Sequence, residues 1–86
     1  MNIEQVVRDA MIAVAEISDC KLVTPIEAQT VLLESGLDSL GYAMLVGQLE
    51  EELGLDPFTE MAITIYPSTF AEFVAIYQQG YDRKLA

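Results

Sequence analysis

The sequence predicts an all-α fold, a small four-helix bundle of three long helices and one short one. Apolar residues recur at helical spacing over three separate stretches, and the single strand-like alternation has no second strand to pair with. A chain of 86 residues, 52% of them apolar, has room for one core shared by all the helices. Helices this short are marginal alone, so each needs the faces of the others. Residues 1–86 are therefore expected to form a single domain, and they contain no repeat and no low-complexity tract.

The first helix is expected over residues 3–18. Ile3, Val6, Val7, Ala10, Ala13, Val14 and Ile17 form its apolar stripe, and Glu4, Arg8, Asp9 and Glu16 lie off it. From Asp19 to Gly36 the periodicity fades, and Thr24-Pro25 disfavours further helix. The loop is longer than most helix connections, so it needs a purpose: Val31, Leu32 and Leu33 are expected to pin it to the core, and it serves the tight start of the next helix.

The second helix is predicted from Ser39 to Leu53, with Tyr42, Leu45, Val46, Leu49 and Leu53 inward and Gly54 ending it in a left-handed conformation. Glu50, Glu51 and Glu52 read as a solvated acidic face, because adjacent helical positions splay around the axis and do not assemble a metal site. Over residues 58–66, Met61, Ile63 and Ile65 alternate as a strand would; with no partner, the expectation is a short helical turn around Thr59 to Ile63 and then an extended link. Pro67-Ser68-Thr69 opens the final helix, where Thr69 and Glu72 have capping-box spacing and Phe70, Phe73, Val74, Tyr77 and Tyr81 face the core. Gly80 is expected to mark its fraying end. Arg83 and Lys84 near that C-terminus meet the negative end of the helix dipole.

Composition excludes several function classes. There is no histidine, so the commonest general base and metal ligand is missing. The lone Cys20 forms neither an internal disulfide nor a multi-thiolate metal site and fits a reducing compartment. Neither a catalytic residue nor a metal site is predicted. A net charge of −10 repels phosphate backbones, which argues against nucleic acid and in favour of basic protein partners. Glu4 and Asp9 interrupt the N-terminal apolar pattern, so no secretory signal is expected there, and no apolar run reaches membrane-spanning length. A cytoplasmic monomer is the expectation.

Ser39 stands directly before the apolar-periodic part of the second helix. The plain explanation is a cap for the free N–H groups there, although Asp38 could equally be the cap with Ser39 at the first helical position. The alternative uses the same physics: a phosphodiester on Ser39 would meet the positive end of the helix dipole and the free N–H donors. Leu40, Ala43, Met44 and Gly47 lie opposite the core stripe, where an apolar surface reads as a docking face.

Gly36-Leu37-Asp38-Ser39-Leu40, followed by a helix ending in Glu50-Glu51-Glu52-Leu53-Gly54, resembles the phosphopantetheine attachment motif of acyl and peptidyl carrier proteins. The resemblance extends to the long loop, the short third helix and Tyr66-Pro67-Ser68-Thr69. It implies a freestanding, non-catalytic acyl-carrier-like bundle in which Ser39 bears a 4′-phosphopantetheine arm, transferred from coenzyme A by a magnesium-dependent phosphopantetheinyl transferase. Asp38 matches the acidic residue that helps the transferase place its metal ion. The arm would hold acyl or aminoacyl groups as thioesters, loaded by an activating ligase and used by an acyltransferase or synthase. Leu40, Ala43, Met44 and Gly47 would contact those enzymes, with Glu50 and Glu51 adding steering.

Fatty-acid carriers typically follow Ser-Leu with acidic residues where this chain has Gly41 and Met44. Asp38-Ser39-Leu40-Gly41 resembles D-alanyl carriers more closely, and Gly54-Leu55-Asp56-Pro57-Phe58 resembles freestanding carriers of specialised pathways. The rival reading is an acidic helical interaction module without a prosthetic group, in which Ser39 is only a cap and Ser39→Ala costs about 1 kcal/mol.

Overall fold

Helix propensity and capping set the elements, and the computed structural model describes residues 2–60 and 67–85. Among these lie four α-helices, α1 (Ile3–Ile17), α2 (Ser39–Leu53), α3 (Pro57–Glu60) and α4 (Phe70–Leu85), with a 3₁₀ turn at Leu32–Glu34 and no strand. This is the all-α architecture that the periodicity predicts. The Asn2 side chain accepts from the Gln5 N–H and starts α1. Gly54, at φ 67°, ends α2 in the left-handed conformation, with its N–H donating to the Glu50 carbonyl.

The three long helices share one core, with Ile3, Val7, Met11 and Val14 from α1, Leu45, Leu49 and Leu53 from α2, and Phe70, Phe73 and Tyr77 from α4, and the short α3 adds the fully buried Pro57 and the half-buried Phe58. The α1 stripe is rotated from its expected position. Met11 and Ala15 are buried whereas Ile17 is 69% exposed, because α1 ends at Ile17 and Cys20 N–H returns to the Ala15 carbonyl, turning the chain away.

The long loop is pinned by fewer residues than expected. Leu32 is buried, but Val31 and Leu33 are 36% and 60% exposed. Backbone hydrogen bonds take over the anchoring: Leu32 N–H donates to the Ser68 carbonyl, and Phe70 and Ala71 N–H donate to the carbonyls of Thr30 and Ala28. The loop thus supplies acceptors to the first turn of α4. Arg8 holds its other limb, donating to the Ile26 carbonyl at 2.6 Å while its guanidinium lies 4.6 Å from the Phe70 ring centre.

At α4, Thr69 and Glu72 form the expected capping box, with Glu72 N–H donating to Thr69 Oγ1 and Thr69 N–H donating to Glu72 Oε1. Gly80 does not end the helix, which runs on to Leu85. The extension has a tie, since Lys84 Nζ donates to the Leu53 and Gly54 carbonyls at 2.8 and 3.4 Å. A cation thereby joins the end of α4 to the C-terminus of α2. The third helix begins at Pro57, two residues before the expected turn, and the expectations for Met61 to Tyr66 lie outside the described residues.

Candidate functional site

The approach to Ser39 is built residue by residue. The 3₁₀ turn stops at Ser35, which is buried, donates its hydroxyl to the Leu32 carbonyl and accepts from Val23 N–H. Gly36 then adopts φ 115°, and a Cβ there would run into the Lys21 carbonyl, so only glycine lets the two limbs of the loop pass this closely. Leu37 plugs into the core and fixes the height at which α2 begins.

Asp38, not Ser39, is the cap. Its Oδ1 accepts from Gly41 N–H at 2.8 Å, and its carbonyl accepts from Tyr42 N–H at 2.9 Å. Of the two alternatives open in the sequence, the structure therefore takes the second, with Ser39 at the first helical position and exposed. The Ser39 hydroxyl and the Ser39 and Leu40 N–H groups have no hydrogen-bond partner among the described residues. An exposed hydroxyl thus sits beside free donors at the positive end of a 15-residue helix. Gly41 completes the corner: it is buried, and a Cβ there would press on Leu37 and on the capping carboxylate.

The surface around Ser39 is apolar but not uniformly open. Leu40 is 66% exposed, and Ala43 and Gly47 are exposed with it. Met44 differs from expectation, being half-buried against the core. Leu33, expected inside, stands exposed beside this face. Glu50 and Glu51 are exposed but lie roughly 16 Å along the helix axis from Ser39. From Ser39 to Gln48 the helix carries no charged residue.

Ser39 also lies at the edge of a groove of about 450 Å³ between α2 and α3, lined by Leu33, Tyr42, Val46, Asp56 and Phe58 among others. Asp56, read from sequence as an ordinary turn residue, caps α3: it accepts from the N–H groups of Phe58 and Thr59 and from the Thr59 hydroxyl. An aspartate three positions before Thr59 at a proline-started helix is a legible capping signal. Behind the groove, Phe58 meets Tyr77 edge-on with ring centres 5.9 Å apart, and Tyr42 meets Phe73 edge-on at 5.6 Å. A groove of similar volume between α1 and α4 shares no lining residue with the first, and Arg8 there is already engaged.

Among the described residues, no group of histidine, cysteine, aspartate and glutamate is placed to hold a metal ion, and no helix is long and apolar enough to cross a membrane. Compared with known proteins, residues 5–74 match the model of one family, described as the phosphopantetheine attachment site. The matched span takes in nearly all of α1, the loop, α2, α3 and the first turn of α4. No curated protein and no solved structure matches the chain. The family's domains carry substrates on a 4′-phosphopantetheine group, are not themselves catalysts, and interact with phosphopantetheinyl transferases and biosynthetic enzymes.

Proposed function

The chain belongs to the phosphopantetheine attachment family, and from that premise we propose that Ser39 is the attachment point and that the protein is a dedicated carrier of acyl or aminoacyl groups in a specialised pathway. The observation that carries this reading is the division of labour at the start of α2: Asp38 performs the capping and leaves the Ser39 hydroxyl exposed and uncommitted.

The residues present fit the group. A phosphodiester on Ser39 would have the free Ser39 and Leu40 N–H groups beside it and needs no basic side chain. Asp38 uses Oδ1 for the cap, while Oδ2 has no hydrogen bond among the described residues, so one carboxylate oxygen remains for a metal ion brought by the transferase. In the loading step Ser39 Oγ attacks the phosphorus of coenzyme A that bears the pantetheine. A P–O bond to serine forms, the pyrophosphate P–O bond breaks, adenosine 3′,5′-bisphosphate leaves, and the serine proton passes to a base on the transferase. Once attached, the arm supplies a terminal thiol that holds cargo as a thioester.

Leu40, Ala43 and Gly47, with the exposed part of Met44, form the face that partner enzymes meet. Glu50 and Glu51 lie too far along α2 to touch a reagent at Ser39 and act by steering. Gly41, buried against Leu37 and the cap, accounts physically for the glycine that also links this motif to D-alanyl carriers. A cytoplasmic monomer as a single domain fits the reading.

The test is the intact mass before and after incubation with coenzyme A, magnesium and a broad-specificity phosphopantetheinyl transferase. A single phosphopantetheine addition is expected, absent in Ser39→Ala. No addition, with the same transferase active on another carrier, would favour the acidic interaction module.

A further inference from the structure

Tyr77 is wholly buried, yet its hydroxyl has no hydrogen-bond partner among the described residues. Unpaired buried hydroxyls are uncommon in a folded core and cost free energy that a phenylalanine at the same place would not. The Tyr77 ring meets Phe58 and Phe73, with ring centres 5.9 and 4.9 Å away. Phe58, Asp56 and Tyr42 all line the groove that begins at Ser39. Tyr77 therefore stands directly behind the groove wall, with the half-buried Phe58 ring between them.

Resting on the attachment of the arm at Ser39, we infer that Tyr77 is a specificity-determining residue for the cargo, donating a hydrogen bond to an oxygen borne by a neutral acyl chain that enters the groove past Phe58. The donor assignment follows from burial, which keeps the phenol protonated. The charge assignment follows from Asp56 on the wall, which opposes an additional carboxylate. A plain alkyl chain would fill the apolar part of the groove and leave the hydroxyl as it stands. A chain with a hydroxyl or keto oxygen beyond the thioester would satisfy it.

The experiment loads the wild type and Tyr77→Phe with octanoyl or 3-hydroxyoctanoyl phosphopantetheine from the corresponding coenzyme A thioesters, confirms loading by mass, and follows thioester cleavage by hydroxylamine. Each rate is normalised to that of the same thioester on coenzyme A. The expected result is that 3-hydroxyoctanoyl cleavage is about fivefold slower on the wild type than on Tyr77→Phe, the factor of one net hydrogen bond, while octanoyl cleavage is the same on both. Tyr77→Phe keeps the ring and removes an uncompensated hydroxyl, so the unloaded variant is expected to melt no lower than the wild type. Equal wild-type to variant ratios for the two cargoes would overturn the inference and assign the hydroxyl to a buried water. Loading that fails in the mass spectrum would instead overturn attachment at Ser39, and the inference with it.

Discussion

Three neighbouring positions at the start of α2 divide their tasks so sharply that single substitutions separate them. Asp38→Ala removes the acceptor of Gly41 N–H and is expected to cost about 1 kcal/mol of stability in denaturant unfolding. Ser39→Ala removes a side chain with no hydrogen bond among the described residues, so it should leave stability within about 0.5 kcal/mol of the wild type. If Ser39→Ala proved as destabilising as Asp38→Ala, the hydroxyl would be a cap and its availability for attachment would be lost. Gly36→Ala combines a positive φ with a Cβ driven into the Lys21 carbonyl, and it should destabilise more than either. The sequence already placed Gly54 as the left-handed end of α2, because that role is decided by a few neighbouring residues. Asp38 or Ser39 as cap stayed open there, since both side chains are competent and only the backbone path through Gly36 and Leu37 chooses between them. Tyr77 as a group of interest was invisible: an aromatic at helical spacing looks the same whether or not its hydroxyl finds a partner.

At the scale of elements, periodicity located the helices but misjudged where the core stripe lay on α1 and which part of the loop was held. Ile17 falls at the turn that ends α1, and Val31 and Leu33 sit in a segment whose anchoring is backbone to backbone, which no side-chain pattern records. The consequence is measurable. Leu32→Ala should cost about 2–5 kcal/mol, as a fully buried leucine does, whereas the adjacent Leu33→Ala should change stability by less than about 0.5 kcal/mol. Equal losses would mean that Leu33 is inside. The continuation of α4 past Gly80 escaped the sequence for a related reason: its tie, Lys84 to the carbonyls of Leu53 and Gly54, joins residues about thirty apart in the chain. The capping box of α4 was readable because its partners are three apart, and it carries a pH dependence. Hydrogen bonds from the Thr69 backbone and hydroxyl hold the Glu72 carboxyl below 4.5. A lowered folded pKa stabilises above the unfolded value of 4.5, and that contribution disappears as pH falls through the folded one. In an NMR titration, Thr69→Ala should move the Glu72 pKa upward; an unchanged value would mean that the box does not form in solution.

Over the whole molecule, 14 acidic residues face four basic ones, and the cations are partly committed to the fold. Arg8 ties the loop to α4, and Lys84 ties α4 to α2. Among the described residues Glu4 is the one acid in an ion pair, at 3.3 Å from Arg8. The folded state therefore concentrates charge that the unfolded chain spreads out, and self-repulsion should weaken it at low ionic strength. The same field has the opposite value in an encounter with a basic enzyme, where it speeds association. The stretch of α2 next to Ser39 is uncharged, so contacts made there should persist once the partners have met. These features give salt two effects of opposite sign. Raising sodium chloride from about 10 mM to 150 mM, which shortens the screening length from about 30 Å to 8 Å, should raise the melting temperature. Over the same range the association rate with a basic partner transferase should fall, while its dissociation rate changes little. A dissociation rate that rises as steeply as the association rate falls would place the ion pairs inside the docked interface, and the apolar face around Leu40 would then not be the contact surface.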